Sequence, residues 1–151
     1  PFLTDFLQFH DIALSPDGAF LYYQPPGGPI MWQIPTRLLS EPLENAVLEA
    51  DVAVAGKSMT IGGMTRDEDG LLYLGSVQDN AVWTLDPDTG ETHRLLQDDR
   101  LLWPDAMSLS SDGYLYIPAP QLRLLPALNG GSDLTQGDFA VYRVSLATMV
   151  K

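Results

Sequence analysis

One local pattern, present three times, constrains this chain more than any other feature. The clearest copy spans 101–118: a short apolar run, the pair Asp112-Gly113, then Tyr114-Leu115-Tyr116-Ile117, in which tyrosines alternate with aliphatics. Two apolar runs about Asp-Gly predict a β-hairpin, because Asp-Gly readily takes tight-turn dihedrals and period-two alternation gives a strand one face to bury. The pattern also stands at His10–Tyr23 around Asp17-Gly18 and at Gly63–Gly75 around Asp69-Gly70, with spacings of 52 and 43 residues between the pairs. A third alternating run follows each copy, at Ile30–Ile34, Ala81–Leu85 and Ala140–Val144; a fourth follows the first two, at Val52–Ala55 and His93–Gln97. Pro25-Pro26-Gly27-Gly28 and Asp86-Pro87-Asp88-Thr89-Gly90 supply turns between them. One helical turn is expected, over Pro35–Leu39, with Thr36 as its cap.

Four-stranded units repeated at this interval predict the blades of a β-propeller. A sandwich is the alternative, but its strands need not recur in fours with one shared motif. The expected fold is therefore all-β, a single domain over 1–151 with four-stranded blades at about 9–56, 57–98 and 103–151. Closed propellers typically have four to eight blades, so three make half of a six-bladed ring. Phe2–Leu7 alternates loosely and is expected to be the outer strand of a preceding blade, while the third unit has no fourth strand of its own. Such an arc leaves an apolar sheet face open at each end. Two copies joined head to tail would bury both, with Phe2–Leu7 of one completing the third blade of the other. A second copy of the chain is thus the expected partner, the alternative being a segment of a longer chain.

Charge narrows the remaining partners. Eight basic against twenty acidic residues leave a formal charge of −12, which repels phosphate backbones and argues against nucleic acid. Cations and basic small molecules are attracted, although the same surface also serves solubility alone. No apolar run approaches the ~20 residues that cross a bilayer, so no membrane association is expected. Pro1-Phe2-Leu3-Thr4-Asp5 has neither the basic region nor the apolar stretch of a signal peptide, and removal of one leaves a secreted or periplasmic location open. With no cysteine, disulfides and thiolate metal sites are excluded, and two histidines leave little basis for a structural zinc site.

Chemistry is expected where the innermost strand of each unit begins, beside the central channel. The residues there are Asp11, Gly63 and Asp105. Carboxylates of Asp11 and Asp105 are candidate ligands for Ca²⁺ or another divalent cation, which prefers several oxygen donors, or candidate partners for a substrate amine. An aspartate so placed also accepts backbone N–H bonds and holds its loop with no ligand at all. His10, beside Asp11, is a candidate base or ligand, or simply a hydrogen-bonded neighbour. Trp103, before Pro104, is a candidate aromatic wall for a ligand, the alternative being packing between blades. Asp17, Asp69 and Asp112 read as turn residues. The loop Leu122–Asp138 is long for a blade connection and is placed to cover the channel mouth. No phosphate loop or Ser-His-Asp ordering is present.

Several phrases, in order, carry a family resemblance: His10-Asp11-Ile12-Ala13-Leu14-Ser15-Pro16-Asp17-Gly18, Leu72-Tyr73-Leu74-Gly75, Leu102-Trp103-Pro104-Asp105, Asp112-Gly113-Tyr114-Leu115-Tyr116 and Asn129-Gly130-Gly131. They resemble the C-terminal half of the major royal jelly/yellow protein family, over nearly the whole chain. The resemblance implies half of a six-bladed propeller, the family's chains being roughly twice this length. It also implies a choice of activities: conversion of dopachrome-like precursors, amine binding in the central cavity, or the metal-dependent hydrolysis of related gluconolactonase-like proteins. Asp11 and Asp105 match the acid or amide ligands of those lactonases, and Gly63 does not. The function expected is small-molecule binding at the central channel. The alternatives are a metal-dependent, gluconolactonase-like hydrolase and a purely structural half-propeller that assembles as a homodimer.

Overall fold

A computed structural model describes residues 11–25, 27–40 and 42–149. It is mostly β, with 41% strand and 14% helix. Three antiparallel sheets follow one another along the chain. The first is β1 (Asp11–Leu14), β2 (Phe20–Gln24), β3 (Ile30–Pro35) and β4 (Ala53–Lys57); the second is β5 (Ile61–Arg66), β6 (Leu72–Ser76), β7 (Ala81–Leu85) and β8 (Thr92–Gln97). The third contains β9 (Ser108–Leu109), β10 (Tyr114–Ala119) and β11 (Ala140–Ser145). In each sheet the strands pair in chain order, and β1 packs beside β5 and β5 beside β9. The first strands of the three sheets are therefore spatial neighbours.

Local chemistry accounts for the hairpins. Gly18, Gly70 and Gly113 all have positive φ, between 71° and 98°, where an L side chain would be strained. Asp17 accepts the Ser15 hydroxyl at 2.6 Å and the Ala19 N–H at 3.0 Å, and Ser110 donates to Asp112 in the same way. In the second sheet the expected residue is displaced: Asp67, not Asp69, takes the Asp69 and Leu71 N–H groups at 3.1 and 2.9 Å. That leaves the Asp69 carboxylate outside the turn's bonding.

The third sheet has three strands among the described residues, as expected of a unit with no fourth strand of its own; after β11 the chain turns into a 3-10 helix at Leu146–Thr148. Two other features depart from expectation. Helix α1 (Asn45–Asp51) was not expected: it buries no residue, so no apolar stripe marks it in the sequence. Thr36 opens a 3-10 turn over Thr36–Leu38 without capping it; its hydroxyl donates to the Gly18 carbonyl at 2.6 Å and ties the turn to the first hairpin. The proposed role of Phe2–Leu7 lies outside the described residues.

The middle sheet is buried on both faces, which is why β6 has no exposed residue. Leu72, Leu74 and Leu85 meet Tyr22, Met31 and Ala55 of the first sheet. On the other side Tyr73 and Val82 meet Leu115 and Ile117 of the third. The outward faces of the two flanking sheets have no such cover among the described residues: Ile12 is 63% exposed, Val54 54% and Val141 65%. Tyr73 donates to Asp67 at 3.2 Å, and burial, then the Asp67 charge, pushes its phenol up to about 12. An unfolded tyrosine ionises near 10, so Tyr73 favours the fold below that pH and the advantage disappears as pH climbs from about 10 through 12. Spectrophotometric titration is expected to find one tyrosine ionising well after the rest, and Tyr73→Phe to remove that late step. A wild-type titration complete by about pH 11 would contradict this placement.

Candidate functional site

The first strands begin at one end of the molecule and the Asp-Gly turns lie at the other, as the strand registers require. At the strand-start end the dominant feature is a corner, Trp103-Pro104-Asp105, seated on a floor of glycines. A Cβ added at Gly63 would stand 2.2 Å from the Asp105 carbonyl carbon; one at Gly62 would stand 2.6 Å from the Pro104 oxygen, and one at Gly75 2.5 Å from the same atom. Gly63 and Gly75 are cross-strand partners, and a register shift between Ile61 and Gly63 marks a bulge. Absence of side chains on this patch of β5 and β6 lets a foreign backbone lie directly on the sheet.

The corner is held firmly. Pro104 is fully buried, the Asp105 N–H donates to the Pro118 carbonyl at 3.0 Å, and the Gln121 N–H donates to the Leu102 carbonyl at 3.0 Å. Trp103 sits at φ 67°, a left-handed conformation unusual for a bulky residue. Strain of this kind persists only where the surroundings over-determine it, and it is frequent at ligand sites. The buried Trp103 Nε1–H has no acceptor among the described residues. Asp105 Oδ1 accepts the N–H of Ala106 at 2.7 Å, so this aspartate in part does the loop-holding work open to it from the sequence.

Asp11 is the first residue of β1, 9% exposed and paired in register with Gln24. Gln24 is more deeply buried; its amide donates to the carbonyls of Gly28 at 2.7 Å and Met59 at 2.5 Å and accepts the Ser58 hydroxyl. This amide locks the crossing from the first sheet to the second close to Asp11. His10 lies outside the described residues. The long loop contains two 3-10 turns, and Arg123 pins it to the β6–β7 turn through Val77 O and Asn80 Oδ1, both at 3.2 Å. That attachment puts it at the strand-start end, where the channel mouth was expected.

The metal expectation meets a steric obstacle here. Gly63, the position between Asp11 and Asp105 in the series of strand entries, has no room for a carboxylate because the Asp105 peptide occupies it. Among the described residues no group of three or more His, Asp or Glu side chains could hold a metal ion. The described residues do not by themselves make up a divalent-metal centre. What they offer is an indole N–H, two carboxylates and an aromatic face at one end of a rigid scaffold. Of the residues the sequence singled out, Trp103, Asp11 and Asp105 lie at the strand-start end; Gln24, Gln121 and the role of Gly62 and Gly75 were not anticipated, and glycines inside strand patterns were the available signal.

No family model and no curated protein matches this chain. Solved structures do match it. A gluconolactonase from Xanthomonas campestris aligns with 91% of this chain and 44% of its own, at 18% identity and TM-score 0.65. A luciferin-regenerating enzyme aligns with 91% of this chain and 44% of its own, at 16% identity and TM-score 0.62. Hydrazine synthase from Kuenenia stuttgartiensis aligns with 97% of this chain and 35% of its own, at 16% identity and TM-score 0.62. The chain spans less than half the length of these structures. At such identities the likeness is one of fold, that of the β-propellers of gluconolactonase type.

Proposed function

We propose that this chain is part of a gluconolactonase-like propeller that takes a small polyhydroxylated cyclic ester at the strand-start end. The observation that supports this best is the match of nearly the whole chain to a gluconolactonase fold, with Trp103 and Asp105 fixed at the end where the first strands begin. In this reading the Trp103 indole N–H donates to a ligand oxygen, its ring flanks the sugar, and the carboxylates of Asp11 and Asp105 accept hydroxyl protons. Asp105 is the group nearest the corner suited to draw a proton from attacking water, the role of a general base. The ring is completed to six blades by a second copy, to which the exposed faces bearing Ile12, Leu14 and Val54 on one side and Val141 on the other are suited.

Hydrolysis of glucono-δ-lactone, followed with a pH indicator against the spontaneous rate, tests the proposal. Saturable turnover is expected, falling at least about tenfold in Asp105→Asn with little change in folding. Turnover no faster than the spontaneous reaction, from protein whose assembly state is known from light scattering, would remove the hydrolase reading.

A second reading, binding without turnover, rests on Trp103, whose buried indole N–H has no acceptor among the described residues and would donate to a bound ligand. It predicts saturable quenching of tryptophan fluorescence by a ligand that the protein returns unchanged.

A further inference from the structure

We infer that Asp69-Gly70 is a site of spontaneous covalent modification, the isomerisation of aspartate to isoaspartate, and that the fold directs this reaction to it among three Asp-Gly pairs. The pairs are Asp17-Gly18, Asp69-Gly70 and Asp112-Gly113. Each lies in the hairpin between the first two strands of its sheet, and each glycine has positive φ. A glycine after the aspartate leaves the attacking main-chain nitrogen unshielded by a Cβ, so all three pairs are reactive by sequence alone.

In the reaction the Gly70 main-chain nitrogen attacks Cγ of Asp69. A C–N bond forms, the nitrogen gives up its proton and the carboxyl group gives up hydroxide, so one water leaves and a five-membered succinimide closes. Water then adds back at either ring carbonyl. Opening at the former main-chain carbonyl routes the chain through Cγ and yields isoaspartate; opening at Cγ restores aspartate. No atom is gained or lost overall, and water is the only co-reactant.

The three turns differ at the residue two places before the aspartate, which is Ser15, Asp67 or Ser110. The Ser15 hydroxyl donates to Asp17 at 2.6 Å, with the Ala19 N–H on the same oxygen at 3.0 Å, and the Ser110 hydroxyl donates to Asp112. An ionised carboxyl at position 67 has no proton to give. It accepts instead, from the Asp69 and Leu71 N–H groups at 3.1 and 2.9 Å and from the Tyr73 phenol at 3.2 Å. The exposed carboxylate of Asp69 therefore accepts no hydrogen bond and has no ion pair among the described residues. Its target is also held less closely: the Gly70 N–H reaches the Asp67 carbonyl at 3.3 Å, while Gly18 and Gly113 make the equivalent bonds at 2.9 and 3.1 Å.

Ring closure needs the side chain to rotate until Cγ meets the nitrogen, a near-attack geometry. A carboxylate held by a hydroxyl must first break that bond, and Asp69 has none to break. The Ser15 hydroxyl, then the Ala19 N–H, also hold the Asp17 carboxyl below its ordinary range, which keeps it in the ionised form that parts with oxygen least readily. Isoaspartate adds a methylene to the main chain at a point with little slack. Gly70 is buried, and a Cβ placed on it would stand 3.2 Å from Cδ and Cγ of Pro16, so a lengthened turn presses on the hairpin of the first sheet. Neither Trp103 nor Asp105 takes part, so this inference is independent of the lactone reading.

Ageing the purified protein at mildly acidic pH, folded and in urea, is the test. Trypsin cuts after Lys and Arg and leaves the three pairs in separate peptides, 1–37, 67–94 and 101–123. Isoaspartate in each is read by methyl transfer from S-adenosylmethionine with an isoaspartate-specific methyltransferase, and fragmentation in the mass spectrometer locates it. In the folded protein it is expected to accumulate at Asp69 about tenfold faster than at Asp17 or Asp112, and in urea the three rates are expected to agree within about twofold. Asp67→Ser, which supplies the missing hydroxyl donor, is expected to slow Asp69 to the rate of the other two, and Ser110→Ala to speed Asp112. The inference is overturned if the three sites age alike in the folded protein, if Asp69 leads by the same factor in urea, or if Asp67→Ser ages as wild type.

Discussion

Gly63→Ala is expected to destabilise the protein by about 3 kcal/mol or more, at the upper end of the range for overpacking. The added methyl would stand 2.2 Å from the Asp105 carbonyl carbon, 2.4 Å from its oxygen and 2.5 Å from the Ala106 nitrogen, where real Cβ contacts essentially never fall below 3.0 Å. All three atoms are backbone, so no rotamer change relieves the contact. Either β5 or the Trp103-Pro104-Asp105 corner must move, and the corner is tied at both ends, to Pro118 and Gln121. For a chain of this size the loss corresponds to a fall of roughly 10 °C in Tm, read by circular dichroism. Gly113→Ala is the control. Nothing lies within 4 Å of its added methyl, and only the positive φ of 81° is penalised, costing about 1–2 kcal/mol. If Gly63→Ala melts with wild type, the corner does not rest on this strand and the steric case against a third carboxylate goes with it.

Leu74→Ala is expected to cost about 3 kcal/mol, from lost burial and a residual cavity, whereas Ile12→Asp should cost the isolated chain little. Leu74 is fully buried between the first and second sheets, in contact with a cluster that includes Met31 and Leu85. Ile12, on the uncovered face, is 63% exposed. Urea denaturation separates the two effects. Light scattering then reads what Ile12 does in an assembly: if a second copy covers that face, the charge shifts the protein toward monomer at concentrations where wild type associates. Equal mass for both proteins at every concentration would count against closure of the ring through this face.

The hairpins were legible because their causes are local. Asp17-Gly18 and Asp112-Gly113 form the expected turns through bonds spanning two residues, and the strand boundaries of the first two sheets fall within a few positions of the alternating runs. Failures occurred where the decisive partner was remote or the signal weak. Asp69 looks like Asp17 in sequence, but the second turn is closed by Asp67, whose geometry lets one oxygen reach two N–H groups. Helix α1 lies on the surface with no buried residue, so it writes no periodicity into the chain. Gly63 was visible as a departure from aspartate; that it makes a seat for Asp105 was not, because Gly63 belongs to β5 and Asp105 to the remote segment that leads into β9.

By itself, then, the sequence determined the strands, their antiparallel pairing in chain order and the division into successive sheets. These depend on turn dihedrals and period-two burial, which act over a few residues. Only the tertiary structure decided that Trp103 and Asp105 rest on bare glycine backbone and that Asp11 is set beside a buried amide. Those placements come from the stacking of one sheet on the next, where residues far apart along the chain compete for the same few ångströms of space.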